Sequence, residues 1–451
     1  MILKEEFYRT MILVAGKVPL WCVAPLRLND EHYQYILGLS PRFHEDYLDM
    51  GNVSTIPKEE YFGASVWQLL KSLKSPYKSV MKMSLLEKYI QEKEGHGLLC
   101  NRLKAGWSLG KRDLRRLDPY LLLFEEVLDY YQRTEQKNAE FVLQVCFFLK
   151  LGIRSITDLD KSVIGIRKKV VQDYIDSWGW NEARVQDLGQ FRKWQFDKIF
   201  RLSTKINHYM IGTYKKLSRS LRETAVGKTM ITQQDLTILG RKMFVQFSKQ
   251  PHKVEKLPLI VHGKSLFQQL YLQYSQPAAE QATWSLYHLK RGKQRGPNGT
   301  KILKKMGRIE EIAIWLVHNG LFLPTTSFEL VPNPTPISIQ DILDLLRRLY
   351  EFFPSKEVEA IPPWALLKKP QVDKLLIAVN FNLSRKLPRI HEYTAFYMTS
   401  WGEFFCRVFS DKKGVTTVEG ALHRAEEQLD LPISSGQVGF FIPRLARKHI
   451  R

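Results

Sequence analysis

Four lysines, Lys71, Lys74, Lys78 and Lys82, stand within the stretch "EYFGASVWQLLKSLKSPYKSVMK" (Glu60–Lys82), beside a Gly63-Ala64-Ser65 patch and the aromatics Trp67 and Tyr77. Ser75-Pro76 divides the stretch into two helices: serine can cap the second, and proline suits a first turn, where no amide hydrogen is needed. In that second helix Tyr77, Val80, Met81, Leu85 and Tyr89 share one flank and are expected to be buried. Lys78 and Lys82, four apart, lie side by side on an adjoining flank, at a mutual repulsion of about a few tenths of a kcal/mol that water tolerates. Lys78 falls in the first turn, where free backbone amides and the positive dipole end already favour an anion. Lys71 and Lys74 reach the same junction if the two helices fold back. Gly63 and its small neighbours permit close approach of a backbone or a flat ligand, and Trp67 or Tyr77 can stack on a base. Two readings stand side by side: a solvated lysine face over an ordinary core, and a phosphate-binding face.

Other residue types that do chemistry are less organised. The Asp158-Leu159-Asp160 pair falls in a helix connection with no Gly-Ser turn before it, and reads as a solvated turn. The histidines are scattered without metal-ligand spacing, and His318, after an apolar helix face, reads as a core or capping residue. Glu125 and Glu126 are adjacent on a helix and point apart, which suits a surface better than acid–base work. "VHGKSLF" (Val261–Phe267) holds Gly-Lys-Ser but lacks the glycine five residues earlier that a phosphate loop needs.

The elements that must position these residues change character along the chain. "LDPYLLLFEEVLDYYQR" (Leu117–Arg133) is periodic at helical spacing, with Asp118 as cap and Pro119 at the first helical position. Helices are expected over Asn138–Leu151 and Lys161–Trp178, and over Thr232–Gln250, where Thr232 and Asp235 form a capping-box variant. After about residue 255, short β-branched or aromatic runs bounded by Gly, Pro, Asn and Ser predict strands: "LPLIVHG", "LFQQLYLQY", "TWSLYHLK", "FLPTTSFELV", "KLLIAVNFNL" and "YTAFYMTSWGEFFCRVF". Helices between them are expected at Gly307–His318, Ser338–Phe353 and Thr417–Gln428. The basic segment Lys290–Lys305 reads as an exposed loop. The fold class expected is α+β, a mainly helical N-terminal half followed by a mixed strand/helix domain. Its parts are a helical lobe over 1–135, a helical middle region over 136–255, and a mixed region over 256–451.

With 451 residues, 44% hydrophobic and 25% charged, the chain has the composition of a multi-domain globular protein. No apolar run reaches membrane-spanning length, so no membrane insertion is expected. The N-terminus "MILKEEFYRT" carries acidic residues where an export signal is apolar, and the four cysteines form no CxxC pair, the pattern of reduced thiols in a cytoplasm. A formal net charge of +22 favours polyanionic partners. The excess is spread along the chain and no nucleic-acid motif accompanies it, which disfavours nucleic acid.

"EYFGASVWQLLK" (Glu60–Lys71) followed by "SPYKSVMK" (Ser75–Lys82) closely resembles the signature of the bacterial class I adenylate cyclases; only Val66 and Leu70 depart from the twelve-residue pattern, mildly. "EEFYRT" (Glu5–Thr10) and "AGK" (Ala15–Lys17) resemble the family's segment just after its catalytic domain. "LDPY" (Leu117–Tyr120) and "SWGWNEAR" (Ser177–Arg184) are similar to family stretches further on. A second family signature is kept only in part, as Tyr397, Trp401 and Glu403. The resemblance implies synthesis of cyclic AMP and pyrophosphate from ATP, with Mg2+ held by a Gly-Ser turn and an Asp-x-Asp pair in a nucleotidyltransferase-like domain. In relatives that domain precedes the region matched here, so the resemblance implies catalytic carboxylates upstream of Met1 and a fragment of a cyclase. Within an intact enzyme, Lys78 and Lys82 are expected to contact the triphosphate with Lys71 behind them. Trp67 or Tyr77 would stack near adenine, and Gly63 would allow close packing. The alternative is a non-catalytic regulatory protein that binds an acidic partner through its basic surface.

Overall fold

A computed structural model describes residues 3–10, 16–25, 28–39, 43–53, 56, 58–72, 76–92, 97–110, 113–153, 166–191, 194, 196–223, 232–256, 269–276, 281–288, 302–353, 360–384 and 386–450. The chain divides into two compact units, Met1–Leu239 and Gly240–Arg451. The first is mainly helical, with one short parallel strand pair, Val18–Pro19 beside Tyr47–Leu48, and the second carries both four-stranded sheets, so the fold is α+β.

Leaving aside the shortest turns, the helices of the first unit are α1 (Lys4–Thr10), α2 (Asp30–Gly38), α3 (Lys58–Ser72), α4 (Pro76–Gln91), α5 (Leu99–Ser108), α6 (Pro119–Arg133), α7 (Lys137–Leu151), α8 (Ile166–Ser177), α9 (Glu182–Gly189) and α10 (Phe196–Glu223); α11 (Gln233–Phe247) crosses the division. Pro76 opens α4 as the sequence predicts. Asp118 caps α6, its Oδ1 accepting from the amides of Tyr120 and Leu121 at 2.8 and 3.1 Å. Thr232 and Asp235 exchange side-chain-to-amide bonds ahead of α11.

Helix α4 is the hub, packed against α3, α6, α7 and α10. The expected flank is buried at Val80, Met81 and Leu85, but burial continues through Met83, Ser84, Leu86, Glu87 and Lys88. A helix walled in on several sides must satisfy its polar groups internally. Glu87 accordingly pairs with Lys216, and the Lys88 ammonium lies 2.5 Å from Glu92 and 3.0 Å from Glu126. The core around α4–α8 is closed by aromatics, with Phe124 and Phe147 stacked at 3.9 Å and Tyr174 and Trp178 at 5.8 Å.

In the second unit, β1 (Gln269–Ser275), β2 (Thr283–His288), β3 (Ile302–Met306) and β4 (Ser327–Leu330) form one sheet in the order β3-β2-β1-β4, with β1 and β4 parallel. Strands β5 (Val372–Val379), β6 (Ile390–Thr399), β7 (Phe404–Val415) and β8 (Ile433–Phe441) form the other in the order β8-β5-β6-β7, with β8 parallel to β5 and the rest antiparallel. Helices α12 (Ile309–His318), α13 (Ile339–Phe352) and α14 (Val418–Gln428) complete the unit. Consecutive residues Leu375–Val379 of β5 are all buried, which is why the run reads as continuously apolar: both faces of this strand are covered. Leu375, Ile377 and Val379 pack with Ala421, Ala425 and Leu429 at α14.

Two expectations are corrected. The end of the basic Lys290–Lys305 segment is not loop: Ile302–Met306 is β3, paired with β2, and its lysines, Lys304 half-buried and Lys305 exposed, stand on an edge strand, as edges commonly carry. The strand β8 had no counterpart among the predicted strands. Its "ISSGQVGFF" mixes serine and glycine into the run because a register shift lies between Ile433 and Gln437, and such irregularity masks alternation. The "LPLIVHG" run, the Gly-Lys-Ser segment, the Asp158–Asp160 pair, and the opening residues of the helix expected from Lys161 lie outside the described residues.

Candidate nucleotide-contacting site

Helix α1 is short, and its "KEEFYRT" sequence is amphipathic in an unusual way: the buried side includes charge. Glu5 and Arg9 are buried, one turn apart, with Arg9 Nε 2.9 Å from Glu5 Oε1. Arg9 also donates to the Pro119 carbonyl at 3.1 Å, tying α1 to the start of α6. Burial pushes the Glu5 carboxyl up from its ordinary range, against the pull of Arg9. The next residue, Glu6, forms an ion pair with Lys82 of α4.

Lys82 is therefore held between α1 and α4, half-buried. Close by, at the end of α7, the Lys150 ammonium sits 3.6 Å from the centre of the Tyr120 ring, a cation–π contact. Lys150 is exposed as a whole residue; desolvation of its amino group, then the charges of Lys82 and Arg9, lower its pKa to about 8, and these two charges outrank the opposing influence of Glu6 and Asp118. The potential at this amino group is thus set more by its cationic neighbours than by the acidic ones. A lysine in that state gains from any anion that approaches it.

Gly63, Trp67 and Lys71 fall four apart and so share one side of α3. Trp67 is 39% exposed, and the Lys71 ammonium lies 5.1 Å from its ring centre. The opposite side, Ala64, Ser65, Gln68, Leu69 and Ser72, is buried. The small-residue patch is therefore split. Ala64 and Ser65 are packed inward, Ser65 donating to the Tyr61 carbonyl at 2.7 Å, and only Gly63 belongs to the open stripe.

Among the expected site residues, the structure brings Trp67 and Lys71 together, and it places Lys82 with Glu6, Lys150 and Arg9. The side chains of Tyr77 and Lys78 lie outside the described residues; their backbone forms the first turn of α4. Sequence reasoning missed Glu6, Arg9, Tyr120 and Lys150. Glu5 and Arg9 at helical spacing in "EEFYRT" offered a signal for the buried pair, whereas nothing local to Lys150 tells that it meets Lys82. Among the described residues no group of three or more His, Cys, Asp or Glu side chains is arranged to hold a metal ion, so no residue here is assigned to magnesium. His318, the last residue of α12 in the second unit, is half-buried with its ring packed on Phe404 at 4.4 Å, and desolvation of that ring lowers its pKa to about 3.

Comparison with known proteins places this helical unit. Residues 56–258 match the family model described as "Adenylate cyclase, class-I, second domain". The adenylate cyclase of Salmonella typhimurium (strain LT2) is 29% identical over 389 residues, covering 84% of this chain and 44% of the relative, and that of Escherichia coli (strain K12) matches to the same extent. The adenylate cyclase of Proteus mirabilis is 26% identical over 392 residues, covering 85% of this chain and 44% of the relative. The chain thus spans less than half the length of the curated relatives it matches. No solved structure matches it. Residues 56–258 are thus similar to the class-I adenylate cyclase second domain, and most of the chain is similar to part of curated adenylate cyclases.

Proposed function

We propose that the chain serves cyclic AMP synthesis from ATP, and that its helical unit contributes the cationic wall against which the triphosphate is held. The observation that carries this reading is the placement of Lys82, from the lysine-rich family segment, beside Lys150 and Arg9. A triphosphate there relieves the repulsion felt by Lys150 and competes with Glu6 for Lys82. Trp67, exposed on α3 with Lys71 over its ring, offers a face for adenine. Lys78, in the first turn of α4, would add the helix-end dipole to the same anion. The chain's own contribution is binding and orientation of the nucleotide. The magnesium that such chemistry uses would supply charge neutralisation from ligands not found among the described residues.

The test is titration of the purified chain with a non-hydrolysable ATP analogue. Replacing Lys78 and Lys82 by alanine is expected to weaken binding at least tenfold, and Trp67→Phe to remove part of the accompanying tryptophan quenching. Affinity unchanged in the lysine double variant would refute the assignment.

A further inference from the structure

The second unit holds a basic cleft unconnected with the reading above. It has a volume of about 510 Å3 and lies between α13 and the chain that follows β8. Arg347 and Arg348 come from α13, and Arg444 and Arg447 from the turn after β8, against the carboxylates of Asp344 and Glu351. Every basic side chain lining it is arginine, the residue whose rigid planar fork matches phosphate and carboxylate oxygens.

The cleft is built on firm supports. Ser338 and Asp341 form a capping box that starts α13, and Ile342, Leu345, Leu346 and Leu349 bury its inner side. The polar side of the same helix then presents Asp344, Arg347, Arg348 and Glu351 along one stripe. Arg444 is fixed by two bonds to Asp344, at 2.6 and 3.2 Å. Those bonds use much of that carboxylate, and Arg347 stands 3.9 Å from it. Arg447 is anchored through Nε to the Ile442 carbonyl at 3.2 Å. Arg348 lies over the Phe352 ring at 5.3 Å. Its other neighbour is Gly439 of β8, where an added Cβ would stand 3.0 Å from the Arg348 Nη2 and 2.9 Å from Phe352. The bare backbone at Gly439 is what lets that guanidinium settle against the strand.

Four guanidinium groups against two carboxylates leave an excess of two positive charges in a concave site. The forks come from two walls of a cleft of about 510 Å3, which has room for more than one phosphate group, so a chain of linked phosphates can engage guanidinium groups from both walls. We propose that this cleft is a binding site for a ligand carrying two or more linked phosphate groups, separate from the helical unit.

The experiment is calorimetric titration of the full chain with inorganic tripolyphosphate at low salt, with orthophosphate as the comparison. Saturable binding is expected, at least tenfold tighter for tripolyphosphate, and at least tenfold weaker in the Arg347→Gln, Arg348→Gln double variant. A second readout needs no variant: tripolyphosphate is expected to protect Arg347 and Arg348 from phenylglyoxal, mapped by peptide mass spectrometry. The Lys82→Ala, Lys150→Gln double variant separates the two units. If binding is lost there and retained in the arginine variant, the cleft assignment fails and the reading of the helical unit stands. Absence of saturable binding, or no protection of either arginine, equally overturns the cleft.

Discussion

Lys150 is the residue whose state reports most directly on the helical unit's electrostatics. Its pKa, lowered to about 8 by desolvation and by Lys82 and Arg9, lies below the ordinary lysine value of 10.5. Below about pH 8 both folded and unfolded chains hold the proton, and the folded state bears a cost for the crowded charge that solvent screening reduces, because Lys150 is exposed. Between about 8 and 10.5 the unfolded chain binds more protons, so this residue's contribution makes stability rise with pH in that window. An arriving polyanion reverses the shift. Nucleotide binding at pH 8–9 is therefore expected to take up a proton, seen as a binding enthalpy that depends on the buffer's ionisation heat, and Lys150→Gln should abolish that dependence. Arg9 gives a second residue-scale prediction. Removing one member of a buried ion pair leaves the other uncompensated, so Arg9→Met is expected to cost about 3–5 kcal/mol in urea unfolding. A loss below about 1 kcal/mol would show that Glu5 simply takes a proton at no cost.

At the scale of elements, much was legible because local rules and tertiary packing agree. The Asp118-Pro119 start of α6 and the Thr232–Asp235 box are satisfied by backbone amides within a few residues, so sequence contains the whole interaction. Asp118→Ala is accordingly expected to destabilise the helical unit by about 1 kcal/mol, measured as a shift of its urea midpoint. Strands β5 and β6 were legible for a different reason: long β-branched and aromatic runs have few other uses in a globular chain. Less legible were elements whose pattern depends on remote partners. The Lys88–Glu92 pair is at local i,i+4 spacing, but nothing within α4 announces that Glu87 will meet Lys216, or that Glu126 will also reach Lys88. The lysine stripe was visible as spacing; the partner that holds Lys82, from seventy-six residues earlier, was not. Lys150 was invisible as a site residue, since its environment is made by α1, α4 and α6 together.

For the molecule as a whole, the two units answer to different forces. The helical unit is organised around buried ion pairs, and no helix among the described residues is long and apolar enough to cross a membrane. The sheet-bearing unit buries a carboxyl: Glu310, fully enclosed, accepts from Asn382 at 2.5 Å and Thr394 at 3.2 Å. Burial, then the neighbouring Glu392 charge, raises its pKa to about 7. Its folded pKa exceeds the ordinary 4.5, so the folded state keeps a proton that the unfolded chain releases. This contribution is whole below about pH 4.5 and is lost as pH rises through 7. Glu310→Gln, which stays neutral, is expected to flatten that loss in urea unfolding of the second unit between pH 5 and pH 8. An unchanged pH profile would assign the sensitivity elsewhere.

The central claim, that nucleotide phosphates lie against the α1–α4–α7 wall, is tested most directly with an acyl-phosphate derivative of ATP, which transfers its acyl group to amines beside the phosphates. Peptide mass spectrometry should find the label on Lys150, whose lowered pKa makes it the readier nucleophile, and on Lys82 or Lys78, with excess ATP suppressing it. Label confined to lysines outside α3, α4 and α7, or label that excess ATP does not displace, would contradict the account.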